Sequence, residues 1–334
     1  MSDVTLTLAH HIRTSGVEEA DDLATVLTQL ALAGKLIARE LGRAALVGQL
    51  GTTGETNVQG EAVKKLDVWA NEVVVSVLEV TGLVCTLVSE EMAEPLHLAR
   101  HCGSARYVVC FDPVDGSSNL DINGIVGTIF SVWRRGAKGA DHVGLDTLQP
   151  GRAQAASGYI MYGPGTVLVY TAGNGVHAFA LDPTVGEFLR THQSIRIPVR
   201  GRTYSVNEGN APRWDPSIRR YIEHLRTTDV ATGRPYTARY VGSLVADFHR
   251  TLLEGGIYLY PADAGDARKA TGKLRLLYEA APMALIVEQA GGRASTGSER
   301  ILDIHPSSYH QRVPLLIGSP EELTLAEKFI AGRR

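Results

Sequence analysis

Apolar residues recur at three- and four-residue steps through Leu23, Val26, Leu27, Leu30, Ala33, Ile37 and Leu41, predicting a long amphipathic helix that opens at an Asp21-Asp22 cap. A Gly/Thr/Asn-rich loop over residues 48–60 leads to a second helix through Val63, Leu66, Ala70, Val73, Val74, Val77 and Val80, with Asp67 between its apolar positions. The pattern then changes. Leu83–Val88 and Tyr107–Phe111 are continuous apolar runs of strand length, Thr128–Trp133 reads as a further strand, and residues 157–191 read as a meander, with strict alternation over Val176–Leu181. Consecutive strands without helices between them predict a mixed or antiparallel sheet rather than a purely parallel one.

Beyond a polar, Gly-rich connection at Gly136–Gln154, the run Ile195-Arg196-Ile197-Pro198 marks a domain boundary, dividing the chain into 1–197 and 198–334. Helices and strands alternate in the second half. Asp215-Pro216 opens a helix carrying Ile218, Tyr221, Ile222 and Leu225, while Ser243–Glu254 forms another that Gly255-Gly256 stops before the strand Ile257–Tyr260. Met283–Gln289 ends in the same way at Gly291-Gly292, and Ser319-Pro320-Glu321-Glu322 reads as a capping box for a last helix. Helices interleaved with strands in both halves predict an α/β layered fold with sheets sandwiched by helices.

A length of 334 residues is enough for two substantial cores. A net charge of −3 gives no electrostatic reason to expect nucleic acid or a membrane surface as partner. The N-terminus lacks a basic stretch followed by an apolar core, and no apolar run approaches a membrane span, so a cytoplasmic protein is expected. The cysteines point the same way: Cys85 and Cys110 read as small core residues, and Cys102 lies near His97 and His101 without a second Cys pair at zinc-finger spacing.

The chemistry concentrates where strands end. The run from Tyr107 stops at Asp112 and Asp115, followed by Gly116, Ser117, Ser118 and Asn119, small residues suited to a tight turn and a helix start where backbone N–H groups favour an anion. The run from Leu83 stops at Ser89-Glu90-Glu91. If the two strands are neighbours, four carboxylates crowd one sheet edge, an arrangement that cations must neutralise. Oxygen donors without His or Cys favour Mg2+, with Mn2+ as the alternative.

Asp112-Pro113-Val114-Asp115-Gly116-Ser117-Ser118-Asn119 with the upstream Ser89-Glu90-Glu91 resembles the lithium-sensitive, metal-dependent sugar and inositol phosphatases. Tyr204-Ser205-Val206-Asn207-Glu208-Gly209, Arg239-Tyr240-Val241-Gly242-Ser243 and Lys273–Glu279 narrow the likeness to the bacterial-type class I fructose-1,6-bisphosphatases, from about Thr52 to the C-terminus. The resemblance implies a five-layered α-β-α-β-α fold with two mixed sheets, and Mg2+-dependent removal of the 1-phosphate of fructose 1,6-bisphosphate. It implies two or more ions per subunit, held by Glu90, Asp112, the Val114 carbonyl, Asp115 and Glu279, with Asp112 bridging. Glu91 would help to activate water with Asp67 in its acid network, and Arg275 would sit near the reacting phosphoryl group. Substrate would meet Asp115, Gly116, Ser117 and Ser118 at one end and Asn207, Tyr240, Tyr260 and Lys273 at the other. Arg239 would reach a neighbouring subunit's site in a homotetramer.

Departures from the family pattern carry their own expectations. Glu61 stands where the family usually has an Asp beside a third cation, and Asn210 replaces a Tyr that many animal members have. At the start of the first long helix, Ala20-Asp21-Asp22 replaces a Thr-Gly-Glu loop that binds AMP, although Arg106, Tyr107 and Arg134 match or approximate other AMP contacts; weak or absent AMP inhibition is expected. Gly136–Gln154 contains no Cys, so thiol control is not expected. Sedoheptulose 1,7-bisphosphate would use much of the same residue set. An inositol phosphatase would not need it, and a non-catalytic sugar-phosphate sensor would not need every acid.

Overall fold

A computed structural model describes residues 6–48, 50–56, 62–98, 100, 102–135, 148–263 and 271–332. Glu61 and His101 lie outside the described residues, as do residues 136–147 of the Gly-rich connection. In chain order, α1 (Leu8–Thr14) and α2 (Ala20–Leu41) precede a small hairpin of β1 (Thr52–Thr56) and β2 (Ala62–Lys64), then α3 (Lys65–Glu79). There follow β3 (Val84–Ser89), β4 (Leu96–His97), β5 (Tyr107–Asp115), β6 (Val126–Arg134), β7 (Gln154–Tyr162), β8 (Thr166–Thr171), β9 (Val176–Asp182) and β10 (Glu187–His192). These pair in the order β10-β9-β8-β7-β6-β5-β3-β4, antiparallel throughout except β3 with β5. The expected mixed sheet is therefore present.

The second half holds β11 (Thr203–Ser205), α4 (Pro216–Arg226), β12 (Thr237–Ala238), α5 (Leu244–Glu254), β13 (Ile257–Tyr260), β14 (Leu274–Arg275) and α6 (Ala281–Gln289). It closes with β15 (Arg293–Ser295), β16 (Arg312–Val313), β17 (Leu315–Gly318) and α7 (Pro320–Ile330), and its main sheet runs β12-β11-β13-β17-β15. Three apolar cores define the layers. Leu27, Leu30 and Val74 of α2 and α3 pack on Val109, Phe111 and Ile160 of the first sheet. That sheet's other face, through Ile129, Tyr159 and Val169, packs on Phe248 and Leu252 of α5 and Ile286 of α6, which also cover Ala294 and Ile317 of the second sheet. The far side of the second sheet meets α4 and α7 through Tyr221, Leu225 and Leu323. The α-β-α-β-α order follows from each sheet burying both faces.

Several local expectations are corrected. The first long helix starts at Ala20 rather than at an Asp cap; its N-terminal residue Glu19 is left-handed (φ 56°) and makes no side-chain cap bond. Val63 belongs to the hairpin, so α3 begins at Lys65 and Asp67 falls in its first turn, buried. The segment after Gly116 is a short 3-10 turn, Ser117–Ile122, not an α-helix. Ser319 precedes α7 but closes no capping box: its hydroxyl donates to the Pro198 carbonyl and accepts the Gly256 N–H, tying the Pro198 segment to the start of β13. Cys85 is not an unpaired core thiol but is disulfide-bonded to Cys102, with Cα atoms 4.5 Å apart, which removes one support for a reducing compartment. No helix among the described residues is long and apolar enough to cross a membrane.

Candidate active site

On an ideal strand, residues three apart point to opposite faces, so Asp112 and Asp115 would diverge. The ladder between β5 and β6 slips between them: Asp112 lies opposite Ile129 and Asp115 opposite Gly127. That one-residue bulge in β5 returns both carboxylates to one side. It is secured from behind by the Thr128 hydroxyl, which donates to the Pro113 carbonyl at 2.8 Å and lies 2.7 Å from the Tyr162 hydroxyl. The Val114 N–H donates to Asp112 Oδ1 at 3.0 Å, fixing that carboxylate to the turn.

The conditional expectation of neighbouring acidic strand ends is met. β3 runs parallel beside β5 with Ser89 opposite Phe111, and the Glu90 N–H donates to the Phe111 carbonyl, which brings Glu90 next to Asp112. Glu279 comes from far along the chain, on a wide π-type turn (Leu276–Ala280) whose Leu277 carbonyl accepts from the Ser131 hydroxyl. Asp112, Asp115 and Glu279 each present an oxygen within 4.8 Å of the others, all buried. Glu90 is buried too, and Arg275 lies against the group: its Nη2 is 2.6 Å from Glu90 Oε1 and its Nη1 is 3.7 Å from Glu279 Oε2.

Burial and mutual repulsion push the carboxyls up. Asp112 is raised well above its ordinary value, by burial and then by the charge of Glu90; Glu279 rises to about 8, with burial the larger cause and Arg275 opposing it. Asp115 rises only to about 6, because its Oδ2 accepts from the Ser243 hydroxyl at 2.7 Å and the Val245 N–H at 2.9 Å, at the positive end of α5. Asp67 rises to about 8 through burial and the charge of Glu91, and its Oδ1 has no hydrogen-bond partner among the described residues. Protonated or compensated carboxylates of this kind are what a divalent cation would displace protons from.

A cleft of about 470 Å3 collects Asp67, Glu90, Glu91, Asp112, Val114, Asp115, Gly116, Ser117, Ser118, Tyr240, Tyr260, Lys273, Arg275 and Glu279. Gly116 turns the chain with φ 76°, and a Cβ there would fall 2.6 Å from Ser243 Cβ, so the close approach of α5 needs glycine. Asn207 is not in this cleft; it lines an adjoining cavity of about 60 Å3 that shares Tyr260 and Lys273. Arg239 lines neither and is exposed, its Nη1 donating to the Ala238 carbonyl. Sequence reasoning missed Ser243, Thr128 and Tyr162 as supports of the turn that carries Asp112 and Asp115. Only Ser243 carried a signal, as the start of the predicted helix.

A second charged cluster lies at the start of α2. Glu19 accepts from the Tyr107 hydroxyl at 2.7 Å, from Arg106 Nη1 at 3.2 Å and from Arg134 Nε at 3.3 Å, and the Tyr107 bond is the main cause of its lowered pKa. Arg106 also pairs with Asp22, and Arg134 with Glu18. Three acids, Glu18, Glu19 and Asp22, thus face two arginines, and these paired residues carry no net positive charge for an anion.

A five-layer α/β fold with buried acids from three segments gathered at a Gly-Ser-Ser turn defines the class of metal-dependent sugar phosphatases. Residues 5–193 match the family model for the fructose-1-6-bisphosphatase N-terminal domain, and residues 197–331 that for its C-terminal domain. The chain belongs to the class I fructose-1,6-bisphosphatase family. It is 52% identical to the class 1 fructose-1,6-bisphosphatase of Trichormus variabilis over 93% of this chain and 87% of that one. Identity to the enzyme of Trichodesmium erythraeum is 54%, over 93% of this chain and 86% of that one. The crystal structure of Leishmania major fructose-1,6-bisphosphatase in holo form superposes with a TM-score of 0.91 at 40% identity, covering 98% of this chain and 99% of that one.

Proposed function

We propose that the protein hydrolyses the 1-phosphate of fructose 1,6-bisphosphate, releasing fructose 6-phosphate and phosphate, with Mg2+ as the metal. Hydrolysis of that ester is the reaction of its family. The observation that carries the residue-level reading is the buried meeting of Asp112, Asp115 and Glu279 within 4.8 Å at the mouth of the Gly116-Ser117-Ser118 turn. The donor set fits hard divalent cations: all ligand atoms are oxygens, and the carboxyls are held in a protonation state that a cation would relieve. Glu90, Asp112, the Val114 carbonyl, Asp115 and Glu279 would hold two or more such ions, which when bound offset phosphoryl charge and acidify a water.

The protein's own groups do the rest. Ser117 and Ser118 offer hydroxyls and backbone N–H groups to the reacting phosphoryl oxygens, and the Arg275 guanidinium adds positive charge within the same cleft. Glu91 takes the proton from water, with Asp67, whose carboxyl burial pushes up, behind it. Asn207, Tyr240, Tyr260 and Lys273 grip the retained phosphate, and Arg239, exposed and outside both cavities, serves a neighbouring subunit of a homotetramer.

The test is phosphate release from fructose 1,6-bisphosphate and from sedoheptulose 1,7-bisphosphate, each with Mg2+ and with a chelator. Mg2+-dependent release from the fructose ester is expected. Release that persists in the chelator, or none from either sugar, would refute the reading.

A further inference from the structure

Within the cavity beside the main cleft, the short 3-10 helix Glu208–Arg213 imposes a register that the sequence signature does not reveal. Its N-terminal cap is Asn207, whose side chain accepts the Gly209 N–H at 3.2 Å. Three residues per turn place Asn207, Asn210 and Arg213 along one edge of this helix, and the Arg213 guanidinium confirms it by donating through Nη2 to Asn210 Oδ1. All three line the cavity, together with Tyr260, Asp263 and Lys273.

Charge decides what this cavity can hold. Among the described lining residues, Lys273 and Arg213 are the cations and Asp263 the anion. Among these described residues Arg213 is what tips the balance from even to net positive, adding to the cation that Lys273 supplies. Arg213 Nε lies 3.3 Å from Asp263 Oδ2, whose side chain is 11% exposed, while that of Arg213 is 46% exposed. Asp263 and Asn210 thus engage Nε and Nη2 and hold the fork in place, and Nη1 has no partner among the described residues. A cavity-lining guanidinium fixed by two partners, with Nη1 left over for a third, is preorganised for an anion.

We propose that Arg213 is a ligand of the retained phosphate and sets the preference of this protein for bisphosphate over monophosphate sugars. The assignment rests on the function proposed above and deepens it. It also gives a physical reason why Asn210 stands where a Tyr occurs elsewhere: the small amide leaves room for, and orients, a charged group one turn later.

The experiment compares the wild-type enzyme with Arg213→Gln and Arg213→Lys, with thermal unfolding as a check on folding. Calorimetric affinity for fructose 6-phosphate should fall about tenfold or more in Arg213→Gln, the size expected for loss of a charge-assisted hydrogen bond. Its kcat/KM should drop similarly for fructose 1,6-bisphosphate and stay unchanged for fructose 1-phosphate, which lacks the second phosphate. Arg213→Lys should recover part of the loss, keeping the charge but not the fork. An equal fall for both substrates, or fructose 6-phosphate affinity within about twofold of wild type, would overturn the assignment alone. A wild-type enzyme that neither binds nor hydrolyses these sugars would overturn it together with the function beneath it.

Discussion

Removing divalent metal should make the protein less stable as pH rises, and the buried acids give the size. Asp115, Glu279 and Asp67 have folded values of about 6, about 8 and about 8, against ordinary values of 3.8, 4.5 and 3.8. Raised carboxyl values mean that the folded metal-free protein retains protons which the unfolded chain has already lost. Their contribution is therefore intact below the ordinary values and disappears as pH climbs through the folded ones. Each retained proton corresponds to about 1.4 kcal/mol per pH unit, and Glu279 and Asp67 each retain one over most of the interval, so between about pH 6 and about pH 8 the metal-free fold should lose roughly 5 kcal/mol. For a chain of this size that lowers Tm by about 7 °C or somewhat more. Metal binding expels the same protons, so Mg2+ should raise Tm more at the higher pH. Calorimetric melts in chelator and in millimolar Mg2+ at both pH values measure this, with Glu279→Gln as a control that should reduce the metal-free dependence by about half, Asp67 supplying the rest. A metal-free Tm that is constant or rises across the interval, or an Mg2+ shift equal at both ends, would refute the reasoning.

Gly116→Ala should cost about 2–3 kcal/mol and lower kcat/KM at least about tenfold, since it combines a left-handed backbone with a 2.6 Å approach to Ser243; paired melts and rates check it. Reduction of the Cys85–Cys102 link, which spans 17 residues, should destabilise the fold by roughly 3 kcal/mol without changing the rate of the folded enzyme, and Cys102→Ser should abolish the sensitivity to reductant. AMP should inhibit weakly or not at all, because the Glu19 carboxylate already engages Arg106, Tyr107 and Arg134; inhibition in the low micromolar range would contradict this.

Much of the architecture was legible because its signals are local. The alternation and continuous runs located β3, β5, β6 and the meander β7–β10, and Asp215 and Ser243 do cap α4 and α5 as their sequence positions imply. What escaped depends on distant partners. Ser319 looks like a cap, yet its hydroxyl is drawn to Pro198 and Gly256, and nothing in the spacing of Cys85 and Cys102 announces their bond. Within the site, the acids could be read as strand ends, but only the bulge opposite Gly127 and Ile129 explains how residues three apart share a side. Glu19 was invisible because its role requires a left-handed turn bringing it under two arginines. Arg213 was hidden for a similar reason, its face being set by a 3-10 rather than an α-helical period.

The central claim is that carboxylates from β5 and from the turn before α6 jointly hold the metal that hydrolysis needs. Parallel measurement of Mn2+ binding and of Mg2+-dependent phosphate release from fructose 1,6-bisphosphate, in wild type and in Asp115→Ala, tests it most directly. Weakened Mn2+ binding together with a loss of rate of roughly a thousandfold, about 4 kcal/mol of transition-state stabilisation, is predicted. A variant that binds Mn2+ normally, or keeps more than about a tenth of the wild-type rate, would contradict it.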